Sequence, residues 1–424
     1  MSEGVDQVAA APAAVPAPLR HNRDFTLLWT GQALSALGTQ MSAIAYPLLV
    51  LLISGSAASA GLVGSATLIG TLLALLPGGV VADQHPRKRI MVVASLTQMA
   101  AGASVVPAIL THHVYLGHLI AVGFILGVAS AFYAGASRGA VRRIVTPGQL
   151  PEAMALTQAR DRAATMLGPP AGGALFGIAP FLPFACDAAS FGAIGLAAAL
   201  IRSKVDPQRA APPPRLPLRK TATTGIRYVL QQPFLRMFAL WAAVINAVVA
   251  GVRLTVIVLA QRHGATSTEI GALFSISAGC GLAGALLAVR ISRLLPGRLL
   301  VLTASWLFPA CAVGMAFAGS VWLIAFLAGL TGFAIMPVNV ILLARSTRII
   351  PDELQAQAGN AMQLCWSALT WLTPAAFGAL TDALGPQPAM LAAAGVYAVT
   401  AVWLQGNRRL TDIGEGGAAP EPAG

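Results

Sequence analysis

Charged residues are scarce in this 424-residue chain, and their scarcity excludes whole classes of protein. Only 10% of the residues are charged, whereas an ordinary soluble domain carries about 25%. So few charges do not cover a water-facing surface, which excludes a soluble nucleic-acid binder despite the net charge of +12. The hydrophobic share of 56% excludes a disordered chain. The composition therefore indicates a membrane protein with many spans.

Cysteine and lysine are also rare. The four cysteines lie in apolar runs and form no C-x-x-C motif, so we expect neither a disulfide framework nor a zinc ribbon. Arginine outnumbers lysine 24 to three, and with abundant alanine and glycine this favours a GC-rich bacterial gene. His112, His113 and His118 cluster in and just after one polar gap, but no carboxylate or thiol accompanies them. We therefore expect no metal and no cofactor.

Twelve apolar stretches are long enough to cross a bilayer, for which about 20 residues suffice. They cover residues 27–54, 57–82, 89–111, 114–137, 153–178, 180–201, 235–261, 267–289, 298–318, 320–343, 357–381 and 387–405. The predicted organisation is a tail over 1–24, six spans over 25–202, a linker over 203–233, six spans over 234–406 and a tail over 407–424. The N-terminal tail has no apolar core, so it does not resemble a signal peptide.

Basic residues are concentrated in every second gap between these stretches, with the gaps numbered from the N-terminus. The even gaps and both tails hold nearly all of them, whereas the odd gaps hold one basic residue, Arg262. By the positive-inside rule, this asymmetry predicts that both termini are cytoplasmic. It also supports the count of twelve, because one missed span would invert every later gap.

The linker combines two patterns. Three consecutive prolines, residues 212–214, favour an extended, stiff segment. Farther on, Ile226, Val229 and Leu230 fall on one side of a helix. This pattern predicts an amphipathic helix on the inner membrane surface.

The two halves of the chain repeat one another. Pro147 in RIVTPGQL matches Pro351 in RIIPDEL at an offset of 204, and Pro169 in GPPAGGAL matches Pro374 in TPAAFGAL at an offset of 205. The fifth span of each half therefore follows the same loop and carries a proline at the same depth. A parallel six-helix repeat predicts this arrangement.

The loop after the second span reads GGVVADQHPRKR and resembles the loop signature of the major facilitator superfamily, G-x-x-x-D-[RK]-x-G-x-[RK]-[RK]. Gln84 and Pro86 depart from that signature. The matching positions are Gly79, Asp83, Lys88 and Arg89. The resemblance implies an all-α membrane fold of twelve transmembrane helices in two pseudo-symmetric six-helix bundles.

Each residue of this loop has a physical reason for its type. Gly79 permits close helix contact, and the basic residues from Arg87 to Arg89 anchor the loop at anionic headgroups. We expect Asp83 to pair with Arg138 or Arg142 in one transporter conformation and to release it in another. The alternative is an ordinary basic hairpin on the cytoplasmic side.

A second motif, GPPAGG, lies in the fifth span and resembles the G-P-x-x-G-G signature of antiporters in the same superfamily. It comprises Gly168, Pro169, Gly172 and Gly173, together with Pro170. The glycines let helix backbones approach, and the prolines bend the span. Generic packing of small residues is the alternative interpretation.

Three further segments narrow the resemblance. DFTLLWTGQALSALGTQ, TPGQLPEAMALTQA and FACDAASF look like bacterial drug and siderophore exporters, both macrolide-efflux-like and enterobactin-exporter-like. This resemblance spans residues 24–405 and implies export driven by proton entry. Many proton-linked relatives carry an arginine inside the fourth span, but 114–137 contains no charge and Arg138 follows it.

Charges inside spans are costly, so each is a functional candidate. These candidates are Arg160, Asp161 and Arg162 in span five, Asp187 in span six and Arg253 in span seven. For the two span-five arginines, snorkelling to the inner interface is the alternative. For Asp187, it is an acid that complements a helix N-terminus.

An antiporter needs a group that is protonated in one state and ionised in the other. Apart from His118 near the start of the fourth stretch, the spans contain no histidine, so Asp187 or Asp161 is the predicted proton carrier, with Asp187 preferred. We expect the partner of Asp161 on another span, because consecutive residues point apart on a helix. Arg253 or Arg160 is a candidate for the alternating partner.

Amides and indoles in spans seven and eleven suit a lipophilic substrate with polar groups. They are Asn246, Gln363, Trp241, Trp366 and Trp371. Packing between helices explains them equally well.

Two other classes compete with a transporter. A nucleotide-driven pump needs Gly-Lys-Ser/Thr, which the chain lacks. An intramembrane enzyme remains the alternative, although the histidines fall in tails, in gaps or, for His118, near the end of a span.

The sequence thus predicts a monomeric secondary transporter in the bacterial inner membrane that exchanges protons for a small lipophilic molecule. An importer or uniporter of the same fold is a further alternative.

Overall fold

A computed structural model describes residues 18–203, 205–206, 218–351 and 354–407. Most of both predicted tails and the proline-rich part of the linker lie outside the described residues. Within them the chain is helical. The α-helices are α1 (Arg23–Ser54), α2 (Ala57–Gln84), α3 (Arg87–Leu110), α4 (Leu116–Ile144), α5 (Leu150–Ile178), α6 (Leu182–Leu200), α7 (Leu218–Gln231), α8 (Pro233–Arg262), α9 (Ser267–Leu294), α10 (Gly297–Ala316), α11 (Val321–Ile349), α12 (Gln355–Ser367), α13 (Thr373–Leu384) and α14 (Pro386–Gln405). Two short 3-10 helices, Leu19–His21 and Pro147–Gln149, complete the described secondary structure.

The predicted apolar stretches correspond to these helices in order. Ten described helices are long and apolar enough to cross a membrane. The fifth predicted span, α5, is not among them, since Arg160, Asp161 and Arg162 interrupt its apolar character. The eleventh is divided into α12 and α13 by turns over residues 368–372, so neither piece is long enough. The all-helical membrane fold is confirmed.

Polar side chains and glycines define where the helices begin and turn. The side chain of Asn22 accepts a hydrogen bond from the backbone of Phe25 at the start of α1. Thr266 and Glu269 form a capping box at the start of α9. These groups satisfy first-turn N–H groups that have no partner inside the helix. Gly385, with φ of 94°, makes the tight turn from α13 to α14, a conformation that favours glycine.

The helices pack as two groups. In the first, α1 packs on α5 and α6, α2 on α4, and α3 on α4 and α6. In the second, α9 packs on α11, α10 on α11 and α14, and α8 on α13 and α14. The main contacts between the groups are α5 with α9 and α2 with α13. The halves therefore meet along two helix pairs that the internal repeat relates.

The predicted amphipathic helix is present as α7, but its apolar side packs on protein. Val229 is fully buried, and the backbone of Gln357 on α12 lies against Gly225 so closely that a Cβ atom there would clash. The Tyr228 hydroxyl donates to the carbonyl of Ile349 at 3.0 Å. Leu230 remains exposed. Thus α7 packs on the second bundle. The sequence pattern did not predict this contact.

Candidate functional site

Three neighbouring cavities lie along the inner face of the first half and between the two halves. Their volumes are about 630, 410 and 270 Å³. Thr39, Gln98, Ser130 and Phe191 line both the first and the second cavity. Arg253 lines both the second and the third. Because they share these lining residues, the three cavities are neighbours, and together they are named here the central cavity.

The central cavity opens toward one end of the bundle. This end, named here the basic end, carries the turns after α2, α4, α9 and α11, and the helix ends beside these turns hold many of the described arginines and Lys88. Arg138, Arg142 and Leu150, which lie at this end of α4 and α5, line the largest of the three cavities. Helix α4 continues to Ile144, beyond its predicted end, and so carries both arginines. The opposite end is named here the far end.

Glycines close the far end by direct backbone contact between the halves. The carbonyl oxygen of Pro374 on α13 lies where a Cβ atom on Gly61 of α2 would be. The carbonyl oxygen of Pro169 on α5 occupies the same place relative to Gly271 of α9. Any side chain at Gly61 or Gly271 would push the two halves apart.

A second pair of contacts repeats the first one turn away. Gly173 on α5 meets the backbone of Ser267 on α9, and Gly378 on α13 meets the backbone of Ala57 on α2. Gly173 and Gly378 are 205 positions apart, as Pro169 and Pro374 are, so the closures are related by the internal repeat. The four glycines at positions 61, 173, 271 and 378 are named here the far gate.

One carboxylate strengthens the α2–α13 side of the far gate. Asp382 of α13 accepts hydrogen bonds from the Ser56 hydroxyl at 2.7 Å and from the backbone N–H groups of Ala57 and Ala58 at 2.8 and 2.9 Å. It therefore caps the N-terminus of a helix from the other half, where negative charge is favoured. The α5–α9 side has Gly177 at the repeat-related position. This carboxylate contact, named here the Asp382 latch, therefore occurs on one side of the far gate.

The span-five charges form a network on the cavity wall. Arg160 donates to Asp161 at 2.8 and 2.9 Å and to Gln32 of α1. Gln32 in turn donates to Ser137 of α4. The prediction that Asp161 pairs with another span is wrong, because the long arginine side chain folds back onto its neighbour. Arg160 is nearly buried while Asp161 is half exposed to the cavity.

Asp187 has a different environment. Its carboxylate is 3% exposed and accepts hydrogen bonds from Ser42 and Thr39 of α1 and from Ser190 of its own helix. No cationic side chain of the described residues lies within 4 Å of it. The described donors are hydroxyls and not the first-turn N–H groups of α6, so the helix-capping interpretation does not account for its placement. Asp187 shares the second cavity with Arg253.

The basic loop after α2 is arranged differently from its prediction. Asp83 is exposed and lies 3.6 Å from Arg87, and its pairing with Arg138 or Arg142 remains a prediction for another conformation. Lys88 donates to the carbonyl of Ile201 at 2.9 Å, toward protein and not toward headgroups. Arg89 is exposed.

Close helix contact near this loop involves a neighbouring glycine. A Cβ atom on Gly79 would meet nothing within 4 Å, whereas one on Gly78 would lie 3.2 Å from the carbonyl oxygen of Ala131. The expectation that Gly79 makes the contact is wrong in this conformation. The register along α2 places Gly78 toward α4.

The GPPAGG segment contacts both halves. Gly168 and Gly172 lie against Gln40 and Met41 of α1, while Gly173 belongs to the far gate. The motif thus connects a contact inside the first bundle to a contact between bundles. Its antiporter role remains a prediction.

The predicted polar residues of spans seven and eleven divide into two environments. Asn246 is exposed on the face of α8 that also carries Arg253, and its amide donates to the Ala242 carbonyl at 2.7 Å. Gln363 is exposed on α12. Trp241 is buried, and Trp366 packs on Phe238 with ring centroids 5.3 Å apart. The two tryptophans therefore belong to helix packing.

Sequence reasoning missed Gly61, Gly271, Gly378 and Asp382. The repeat contained part of the signal, since adding the offset of 205 to Gly173 leads to Gly378. Gly61 and Gly271 occur in AASAG and STEIG, segments too short and too common to stand out among 43 glycines.

Residues 28–255, more than half of the chain, match the model of the Major Facilitator Superfamily. The chain belongs to this superfamily. Membership favours a transporter over the intramembrane enzyme. No curated protein matches the chain.

Solved structures agree on the fold. A bacterial homologue of the human lysosomal transporter Spinster, inward-facing and unoccupied, is 16% identical, with 95% of this chain and 100% of that chain covered and a TM-score of 0.73. An inward-facing bacterial homologue of the iron transporter ferroportin is 19% identical, with coverages of 91% and 99% and a TM-score of 0.69. The nucleoside transporter NupG is 13% identical, with coverages of 90% and 98% and a TM-score of 0.70. These chemically different cargoes leave the substrate, and the drug and siderophore exporter subgroup, to be inferred from the chain itself.

Proposed function

We propose that this superfamily member is a proton-coupled exporter of small lipophilic molecules, such as drugs, siderophores or natural products, in a bacterial inner membrane. The observation that supports this most is the central cavity between two repeated bundles, open at the basic end and closed by the far gate. By the positive-inside rule the basic end is cytoplasmic. The described conformation is then inward-facing and ready to accept a molecule from the cytoplasm.

Alternating access follows from the repeat. The bundles over 25–202 and 234–406 rock against each other, so that the far gate opens while the basic end closes. In the outward-facing state Asp83 pairs with Arg138 or Arg142. Each state is a minimum of comparable free energy, and substrate and protons shift their populations.

Proton coupling requires a carboxyl group that changes its charge between the two states. Asp187 is placed for this role, since it is buried among hydroxyls beside a cavity that also contains Arg253. An isolated charge in such an environment is costly. Whether water or the Arg253 guanidinium reaches the Asp187 carboxyl group therefore decides whether that group keeps its proton. Asp161 is the second candidate and already has Arg160 as its partner.

Accumulation of a panel of lipophilic compounds in cells, with and without the gene and with and without an uncoupler, tests this function. We expect lower accumulation in expressing cells and loss of that difference with the uncoupler. Higher accumulation in expressing cells would identify an importer. A difference that survives the uncoupler would contradict proton coupling.

A further inference from the structure

Two arginines from opposite halves line the same cavity without an anionic partner. Arg162 of α5 and Arg253 of α8 both line the third part of the central cavity, and both side chains are exposed to it. Within the described ranges neither forms a hydrogen bond or an ion pair. The guanidinium of Arg253 lies 4.9 Å from the centre of the Phe274 ring.

Both residues lie far from the membrane surfaces. Arg162 is 12 residues from the start of α5, which corresponds to about 18 Å of helix. Arg253 is nine residues from the end of α8, or about 13 Å. Unpaired charge at such depth is expensive and marks a functional site by default. Snorkelling over this distance exceeds the reach of an arginine side chain.

The whole cavity carries an excess of positive charge. The described residues that line it include Asp161 and Asp187 as acids. Asp161 is neutralised by Arg160, and Asp187 is bound by hydroxyls. The arginines along the wall are Arg138, Arg142, Arg160, Arg162 and Arg253.

We propose that Arg162 and Arg253 bind the carboxylate of an amphipathic organic anion, which rests on the proposed function and specifies its substrate class. The walls around them are apolar and receive the body of such a molecule, through Val252, Val256, Phe274, Phe308 and Met336. The two guanidinium groups belong to different bundles and repel each other when the cavity narrows. A bound carboxylate removes that repulsion, so the anion favours closure of the basic end around itself.

Binding to the purified full-length protein in detergent tests this proposal, with three probes of one shape. They are 2-naphthoxyacetate, its neutral amide, and 2-naphthoxyethylammonium. We expect the acetate to bind at least about tenfold more tightly than the amide, the size of effect that a charged hydrogen bond gives. Arg162→Gln and Arg253→Gln should each remove most of this difference, while the two lysine variants retain part of it.

Arg298→Gln is the matched control, because Arg298 is exposed at the basic end near the start of α10, and we expect it to leave all three affinities unchanged. Equal affinity for acetate and amide, preference for the ammonium probe, or no binding of any probe to the native protein would overturn the proposal. Circular dichroism identifies any glutamine variant that misfolds. In that case the lysine variant at the same position decides the test. Ligand binding to the purified protein in detergent does not depend on transport direction or coupling. Intact efflux in cells, together with equal binding of the acetate and the amide, would therefore contradict this inference and leave the proposed function standing.

Discussion

At the scale of single residues, the environment of each acid separates its role from that of the others. Asp187 is buried among hydroxyls, Asp161 is half exposed beside Arg160, and Asp382 bridges the halves. Sequence position alone ranked the first two almost equally. The hydroxyls around Asp187 come mainly from Thr39 and Ser42 on α1, tertiary neighbours that no local pattern contains.

Asp187→Asn should abolish substrate-driven proton movement in proteoliposomes, because the amide keeps the shape but cannot exchange a proton. Binding of the substrate should change little. Asp161→Asn is the matched comparison, and we expect it to retain coupling. Full proton-linked transport by both variants would show that neither acid carries the proton.

Asp382→Asn should weaken the far gate. An acid at a helix N-terminus contributes up to about 1 kcal/mol at an exposed site, which corresponds to about a fivefold shift toward the outward-facing state. Labelling of a cysteine at Ser130 from the periplasmic side, in a background without the native cysteines, measures this shift. Glu269→Gln is the control, because Glu269 caps its own helix and should leave the labelling unchanged.

At the scale of helices, the far gate depends on the absence of side chains. Gly61→Ala should place a methyl group against the Pro374 carbonyl and destabilise the inward-facing state, because backbone cannot give way as a flexible side chain does. The variant should therefore label more readily at Ser130 from the periplasmic side. Gly64→Ala on the same helix is the control, since its methyl would lie at an ordinary 3.6 Å from Pro374. Equal labelling of both variants would contradict the assigned role of Gly61.

The helices themselves were largely predictable, while their contacts were not. Apolar stretches of about 20 residues determine spanning helices without reference to neighbours, and the predicted ranges match α1–α6 and α8–α14 closely. The break between α12 and α13 and the docking of α7 on α12 depend on tertiary packing. For the same reason Gly79, chosen by motif, is open, and Gly78 makes the contact.

At the scale of the whole molecule, the repeat offers a structural basis for the two states that we propose. Contacts at Gly61 and Gly271 are equivalent, as are those at Gly173 and Gly378. In the proposed cycle, the two equivalent contacts on either side of the cavity open together when the bundles rotate. The latch at Asp382 and the charges of α5 are the departures from this symmetry, and they are where regulation and binding are expected.

Double electron–electron resonance between the bundles tests alternating access most directly. One spin-label pair spans the basic end at Gly148 and Gly359, and another spans the far end at Gly117 and Gly319, positions where an added side chain meets nothing within 4 Å. On a change of pH or addition of 2-naphthoxyacetate, we expect the far-end distance to lengthen in the same fraction of molecules in which the basic-end distance shortens. Distances that stay fixed at both ends, or that change in the same direction, would contradict the account.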